Sequence, residues 1–220
     1  MLAAQVGKRL ERARLRLEGD SDATVWLFDG GKARSIAPLL RFPAVAAIDL
    51  GCDDPVGGLS SLPARLLLRV ATVHALRHDV AGPMVDELKR RLPRIAPIRA
   101  TIHSALQEAV GNAVMHGNLA LASALRQNRD GLTAMAQLME HRTADPHYSR
   151  RPVTVAARWD LSYLVLTVED RGHGFQHPPA PAAPLPHAAS GRGLAHIRSV
   201  CSRVTFSAQG RRIAMRFRLP

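Results

Sequence analysis

Aromatic residues, cysteines and long apolar runs are all scarce in this chain of 220 residues. Aromatic residues make up only 4% of a sequence that is 46% hydrophobic, so aliphatic side chains must fill a globular core. The two cysteines, Cys52 and Cys201, form no CxxC pair and exclude a cysteine-based metal framework. No run approaches the roughly 20 apolar residues that a membrane span needs. We therefore expect a reduced, cytoplasmic protein without a membrane partner.

Acidic residues are also in deficit, because 30 Lys and Arg residues face 18 Asp and Glu residues and leave a net charge of +12. A basic surface favours nucleic acid, an acidic protein or an anionic ligand, and a generally arginine-rich proteome explains the charge equally well. The basic residues are scattered, and no aromatic platform for base stacking lies between them. Nucleic acid is therefore the least favoured partner, and a steep salt dependence would reveal its binding.

Periodicity and turn residues predict the elements along the chain. The predicted strands cover residues 24–29, 44–50, 65–73, 152–159, 163–169, 204–208 and 213–219, and the predicted helices cover 1–18, 32–41, 80–92, 97–116, 132–141 and 193–201. A stretch rich in Pro, Gly and Ser predicts a boundary between a small N-terminal α/β segment, residues 1–61, and a main domain, residues 62–220. The main domain is predicted to be α+β, a two-layer sandwich of a mixed sheet with helices on one face.

The helix predicted over residues 97–116 carries polar residues beside its apolar stripe. Glu108, Asn112 and His116 are spaced by four residues and stack on one face. A carboxylate and an amide oxygen one turn apart can face the same bound object, and magnesium prefers oxygen ligands. We predict that Asn112 ligates magnesium and that Glu108 positions or deprotonates a nucleophile, although an ordinary helix face shows the same spacing.

The strand predicted over residues 163–169 is followed by an aspartate. Asp170 shares its parity with three apolar residues, so its carboxylate needs a hydrogen-bond donor, such as an adenine amino group. Gly172 and Gly174 follow, and glycines allow the backbone to approach a flat ligand closely. A simple strand-to-loop turn has the same DxGxG pattern.

A third stretch, residues 190–194, places glycines before a predicted helix. Gly191 and Gly193 expose backbone N–H groups to an anion at the helix N-terminus, where the dipole favours negative charge. Arg192 adds a guanidinium that matches a phosphate. A glycine hinge that caps a helix is the simpler interpretation of this stretch alone. The residues before it, 176–190, are rich in Pro, Ala and His and predict a loop.

Together, in this order and spacing, the three stretches resemble the N, G1 and G2 boxes of the GHKL ATPase superfamily: ALQEAVGNAVMHGN, VEDRGHGF and SGRGLAHIRSV. The ExxxNxxxH form of the first stretch is most similar to the anti-sigma-factor serine/threonine kinases. The resemblance covers residues 62–220. It implies the Bergerat ATP-binding fold, with ATP and Mg²⁺ as cofactors.

The resemblance implies a role for each matched residue. Glu108 matches the general base, Asn112 the magnesium ligand and Asp170 the aspartate that binds adenine. The glycines match those around the base and the phosphates, and the loop between the last two boxes matches the ATP lid. The candidate nucleotide-binding residues are Asn112, His116, Asp170, Gly172, Gly174, Gly191, Arg192, Gly193 and Leu194.

Two features depart from the family's pattern. A threonine is common in the last strand near the adenine, and the expected equivalent here is Ala214, so one polar contact to the base is missing. The segment over residues 119–151 is long for a simple anti-sigma kinase, and we expect it to reshape the surface for a partner.

The leading functional hypothesis is a protein serine/threonine kinase that phosphorylates or sequesters an anti-sigma-factor antagonist, a sigma factor or a response-regulator-like protein. One alternative is a nucleotide-sensing interaction module without turnover, and another is a stand-alone histidine-kinase-like catalytic domain. His78 begins a stretch that resembles a histidine-kinase phosphoacceptor box, but too little chain separates it from Asn112 for a dimerisation hairpin. Related domains often form homodimers, and the sequence leaves this open.

Overall fold

Seven strands form the framework of this protein, whose computed structural model describes residues 24–59, 62–122, 129–174 and 192–220. The strands are β1 (Thr24–Phe28), β2 (Ala44–Asp49), β3 (Leu66–Ala71), β4 (Pro152–Trp159), β5 (Tyr163–Glu169), β6 (Arg203–Ser207) and β7 (Arg212–Arg218). They are hydrogen-bonded into one sheet in the order β1-β2-β3-β4-β5-β7-β6. All seven strands were predicted from the sequence and are confirmed.

Of the seven described α-helices, one lies between β1 and β2, five between β3 and β4, and one between β5 and β6. They are α1 (Ala37–Leu40), α2 (Thr72–Ala75), α3 (Ala81–Arg91), α4 (Arg99–Asn112), α5 (Arg129–Ala144), α6 (Pro146–Ser149) and α7 (Arg192–Val200). A 3₁₀ segment over Pro93–Ile98 leads into α4, and a π-helical turn over Ala113–Asn118 follows it.

The sheet is mixed, with a parallel part and an antiparallel part. Strands β1, β2 and β3 run parallel, and every residue of β2 and β3 is buried, as is typical of parallel strands covered on both faces. From β3 to β6 each neighbouring pair is antiparallel. In β5 buried and half-buried residues alternate, which is the pattern of a strand with one covered face.

The main core lies between the sheet and the helices α3, α4 and α7. Helix α3 buries Met84, Val85 and Leu88, whose spacing of three and four residues places them on one side of a helix. Helix α4 does the same with a longer apolar stripe, and α7 adds Ile197. The predicted α+β sandwich with helices on one face is confirmed. No helix among the described residues is long and apolar enough to cross a membrane.

Residues of the described ranges cover the second face of the sheet only in part. Val56, Leu59 and Leu62, from the connection between β2 and β3, pack on Ala46, Ile48, Leu67 and Ala156. These residues form a second, smaller core under β2, β3 and β4.

The helix predicted over residues 32–41 is shorter in the structure. Only Ala37–Leu40 is helical, because Pro38 suits a first helical turn but not a helix interior. The N–H groups of Lys32 and Ala33 instead close a turn on the carbonyl of Asp29. The residue directly before a proline, here Phe42, disfavours the helical conformation, and the helix ends before it at Leu40.

Two further predictions differ in extent. The helix predicted to run through His116 is α-helical only to Asn112, where the wider π turn begins. The helix predicted over residues 132–141 is confirmed but longer, as Arg129–Ala144. The predicted helix over 1–18 and the predicted loop over 176–190 lie outside the described residues.

The boundary predicted between residues 61 and 62 falls at the undescribed residues 60–61. The strands on its two sides belong to one sheet, because β2 pairs with β3 from Ala46↔Leu67 to Ile48↔Arg69. The division of the chain into an N-terminal segment and a main domain stays a prediction.

Candidate functional site

Strand β5 carries Asp170 to the helix-covered side of the sheet. Only 8% of the residue is exposed, and its Oδ1 accepts a hydrogen bond from Gly172 N at 2.8 Å. Burial raises the pKa of this carboxyl to about 6, against the opposing effects of the Gly172 N–H and the Arg211 guanidinium. Among the described residues none donates to Oδ2, so this oxygen can accept a hydrogen bond from a ligand.

Two glycines allow the backbone to close around Asp170. A Cβ on Gly117, in the π turn, would lie 2.6 Å from both carboxylate oxygens of Asp170. A Cβ on Gly172 would overlap the Gly117 carbonyl. The π turn and the loop after β5 are therefore packed so tightly that any side chain at either glycine must displace backbone or the carboxylate.

A cleft of about 630 Å³ opens above Asp170, between α4, the π turn, the start of α7 and the strands β5, β6 and β7. Its volume lies in the range of small-molecule and cofactor sites. Most of its wall is apolar, and its polar groups are few. It is lined by Ala109, Asn112, Ala113, His116, Gly117, Ala120, Leu121, Ala122, Val168, Asp170, His173, Gly174, Gly193, Leu194, Phe206, Gly210, Arg211 and Ile213.

Helices α4 and α7 pack against each other at the cleft. A Cβ on Gly193 would overlap Glu108 Oε2 and would lie 3.7 Å from Asn112 Nδ2. Asn112 lines the cleft, whereas the exposed Glu108 lies beside Gly193 at its margin. Asn112 precedes Gly117 by five residues, or about 7 Å along a helix. The first turn of α7 has backbone N–H groups without intrahelical partners, as every helix N-terminus does.

The remaining predicted residues lie around the same cleft. His116 lines it and donates from Nδ1 to the Leu121 carbonyl at 2.6 Å. Gly174 has a φ of 73° and lies against the Gln209 carbonyl, a conformation and a contact that favour glycine. Leu194 also lines the cleft. Gly191 lies outside the described residues, and Arg192 begins α7 without a described side chain.

The expectation that Ala214 of the last strand lies near the base is wrong. Ala214 is paired with Thr167 and Thr205, which places it on the opposite sheet face from the cleft. Ile213, paired with Val168, lines the cleft instead. The alternation of residues in β7 assigns Ile213, and not Ala214, to the buried face. The sequence pattern of this strand was therefore sufficient to identify the correct residue.

Asn118 organises the site and was not singled out from the sequence. It is fully buried, and its Nδ2 donates to Thr72 Oγ1 at 2.8 Å and to the carbonyls of Arg151 and Pro152. Its Oδ1 accepts from Arg171 N at 2.7 Å. One amide therefore ties the π turn to β4, to α2 and to the residue after Asp170. The only sequence feature that pointed to a role for Asn118 in the site was its position at the end of the polar stretch HGN.

The connection between β2 and β3 also reaches this loop. Arg171 Nη2 and Arg69 Nη1 each donate to the Gly57 carbonyl at 2.7 Å. Arg69 is 2% exposed, and burial lowers the pKa of its guanidinium. The conformation after Asp170 is thus fixed from both faces of the sheet.

This arrangement suits a flat, partly polar ligand with an anionic end. An apolar surface formed by the paired residues Val168 and Ile213 leads to a carboxylate that can accept from an amino group. Asn112 and the N-terminal turn of α7 provide an amide oxygen and N–H donors for an anion and a hard cation. The described residues contain no group of three His, Cys, Asp or Glu that could hold a metal ion by themselves. Such a cation would therefore take further ligands from phosphates and water, as magnesium does.

Comparison with known proteins agrees with this geometry. The family model described as a histidine kinase-like ATPase domain matches residues 65–217. The match begins just before β3 and ends within β7, so it includes the whole cleft. A search of curated proteins found no match.

Proposed function

The chain belongs to the histidine kinase-like ATPase family, and from that premise we propose that it binds Mg-ATP in the cleft and transfers phosphate to a protein partner. The single observation that carries the proposal is the buried carboxylate of Asp170 at the floor of a mainly apolar cleft. The family supports ATP binding, usually with Mg²⁺. The residue roles and the partner class are parts of the proposal.

Asp170 recognises the base in this proposal. Its Oδ2 accepts a hydrogen bond from the adenine amino group, and Oδ1 stays bonded to Gly172 N. Val168 and Ile213, which lie side by side on the sheet, cover one flat face of the ring. Burial excludes water from this contact, so a base without an amino group at this position leaves the carboxylate unpaired and binds weakly.

Asn112 and the start of α7 hold the charged end of the nucleotide. Asn112 provides a ligand oxygen for magnesium, and the N–H groups beside Gly193 donate to phosphate oxygens. Mg-ATP supplies a transferable γ-phosphoryl group when it is bound. Glu108, next to Gly193, orients the hydroxyl of the protein substrate and accepts its proton.

The partner class follows from the resemblance to anti-sigma-factor kinases. We propose a serine or threonine hydroxyl on a small regulatory protein as the acceptor: an anti-sigma-factor antagonist, or a response-regulator-like protein. A sigma factor is the candidate for sequestration. The insertion that includes α5 lies beside the cleft through Arg142, which donates to the Leu119 carbonyl, and it offers surface for such a partner.

Substitution of Glu108 by Gln tests the proposed chemistry. The purified protein is incubated with γ-labelled ATP, Mg²⁺ and a soluble extract of its source cells, and the label on protein is counted before and after acid treatment. We expect Glu108→Gln to keep ATP affinity and to reduce acid-stable labelling by about 100-fold, a typical contribution of a general base. Gln107→Ala is the matched control, because Gln107 is an exposed neighbour outside the cleft.

The other outcomes separate the alternatives. Undiminished labelling with Glu108→Gln would exclude Glu108 as the base. Acid-labile label would indicate phosphohistidine and favour the stand-alone histidine-kinase-like domain. Tight ATP binding without label on any protein would favour a nucleotide-sensing module, in which binding shifts the position of α7 and hence partner affinity.

A further inference from the structure

The second face of the sheet carries four arginines on β4, β7 and β6, and three of them are exposed. Arg158 of β4 is opposite Val165 of β5, Val165 is opposite Arg216 of β7, and Arg216 is opposite Arg203 of β6. Residues that pair in this way point to the same face of a sheet. Arg218 lies two residues beyond Arg216 and shares its face.

These four arginines, Arg158, Arg203, Arg216 and Arg218, form what we call the arginine surface. Neighbouring strands are about 4.8 Å apart and alternate residues about 6.8 Å, so the four Cα atoms fit within roughly 15 Å by 7 Å. Arg158, Arg203 and Arg218 are exposed, and Arg216 is half-buried over the Tyr163 ring at 3.3 Å. The surface lies on the opposite side of the sheet from the nucleotide cleft.

Counter-charges are scarce at this surface. Within the described part of the chain, no acidic side chain forms an ion pair with any of the four arginines. Glu169 shares the face but is bound by Arg212 at 2.7 Å. Asp160, in the turn after β4, uses its Oδ1 to accept the N–H groups of Ser162 and Tyr163. The N–H groups of Ser162 and Tyr163 lower the pKa of the Asp160 carboxyl most, and Arg216 and Arg158 lower it further, so this carboxylate offsets part of their charge. One carboxylate does not balance four guanidinium groups, so most of the positive charge stays uncompensated among the described residues.

Stability and solubility do not explain this arrangement. Arg203 and Arg216 are directly opposite each other, and like charges in that position destabilise a sheet. Positive residues protect an edge strand from pairing with another chain, but only Arg203 belongs to the edge strand β6. Arg158 and Arg216 lie on interior strands, where such protection has no use.

We propose that the arginine surface binds a carboxylate-rich segment of a protein partner. Guanidinium groups form paired hydrogen bonds with carboxylates, and four of them on a flat sheet match several acidic residues in an extended segment. Nucleic acid is the less suitable occupant, because Arg216 covers the Tyr163 ring and the described residues of this surface include no free aromatic ring for base stacking. The segment binds without competing with nucleotide, because the cleft is on the other face.

The test compares two variants that lose the same number of charges. Arg158, Arg203 and Arg218 are replaced by Gln in the first variant. Arg34, Arg41 and Lys89, which are exposed elsewhere and form no ion pair within the described residues, are replaced by Gln in the second. Binding of fluorescent poly-L-glutamate and of a duplex DNA of equal charge is measured by anisotropy without nucleotide, so the result does not depend on the proposed function.

We expect the first variant to bind poly-L-glutamate about tenfold more weakly than wild type, as three exposed ion pairs imply, and the second to stay within about twofold. The three single variants, each about twofold weaker, provide the same comparison if the triple variant does not fold. If both variants bind poly-L-glutamate equally weakly, binding depends only on net charge, and the proposal is overturned. Arginine-dependent binding of DNA without binding of poly-L-glutamate would also overturn it and assign the surface to nucleic acid.

Discussion

Burial of the Asp170 carboxyl lowers the stability of the folded protein when this group is ionised. Burial raises its pKa from the ordinary value of 3.8 to about 6, so the folded state holds the proton more tightly than the unfolded state. The neutral form therefore stabilises the fold below pH 3.8, and this contribution is lost as the pH rises through about 6. At neutral pH the ionised carboxylate is retained at the expense of stability, as expected of a ligand-binding group.

Substitution of Asp170 by Asn removes this ionisation without changing the shape of the side chain. We expect the variant to be more stable than wild type above pH 6, by up to about 3 kcal/mol, and to match it below pH 4. Urea denaturation from pH 4 to pH 8 measures the difference. A stability difference that does not change with pH would contradict the raised pKa.

Residue-scale predictions from the sequence succeeded where a local pattern determined the position. Asp170 and Gly193 reach the cleft because strand parity and a helix start fix their directions. Asn118 and Gly117 were missed because their roles depend on the π turn, which has no sequence rule comparable to strand alternation. The roles of the residues that line the cleft remain predictions.

The contact between α4 and α7 gives a prediction at the scale of elements. A Cβ on Gly193 would overlap the Glu108 carboxylate, whereas a Cβ on Gly111, also near the end of α4, meets nothing within 4 Å. We expect Gly193→Ala to push the exposed Glu108 carboxylate aside and to add a methyl group at the charged end of the cleft, and so to weaken ATP binding by about tenfold. Gly111→Ala is the matched control.

Gly111→Ala is expected to retain ATP affinity and to raise stability by about 0.5–1 kcal/mol, because alanine is the better helix former. Calorimetric titration with Mg-ATP and urea denaturation of both variants provide the two readouts. Normal affinity in Gly193→Ala would show that the close approach of α7 to Glu108 is unnecessary for the nucleotide.

Elements with a repeating pattern were predictable, and elements shaped by single residues were not. The seven strands follow from apolar runs and alternation, and the sandwich follows from their order. The helix predicted over residues 32–41 failed because Pro38 and the turn at Asp29 outweigh the periodicity around them. Its extent was therefore wrong although its place in the chain was right.

At the scale of the whole molecule, one buried carboxylate reinforces the strand pairing that joins β1 and β2 to the rest of the sheet. Asp49 Oδ1 accepts the N–H groups of Gly30 and Gly51, and its Oδ2 accepts that of Ala71 and contacts His74 Nδ1 at 2.5 Å. The ends of β1, β2 and β3 therefore meet at a single side chain. Sequence patterns do not reveal such a long-range contact, because its partners are separated along the chain.

The charge of the molecule is also organised at this scale. The net charge of +12 had no visible clustering in the sequence, since Arg158, Arg203, Arg216 and Arg218 come from three strands. Only the order of the sheet brings them together, on the face opposite the cleft. The molecule thus has two sides with different chemistry, the proposed nucleotide cleft under the helices and a basic sheet surface behind it.

The most direct test of the central claim is calorimetric titration of wild type and Asp170→Asn with ATP and Mg²⁺ at pH 8, where the carboxylate is ionised. Wild type is expected to bind ATP with micromolar affinity, and the variant to lose at least about tenfold, as the loss of a hydrogen bond to a buried charged group implies. The unfolding measurements above establish that the variant is folded. Equal ATP affinity in both proteins would contradict recognition of adenine by Asp170, and a wild-type protein that binds no ATP would contradict the account as a whole.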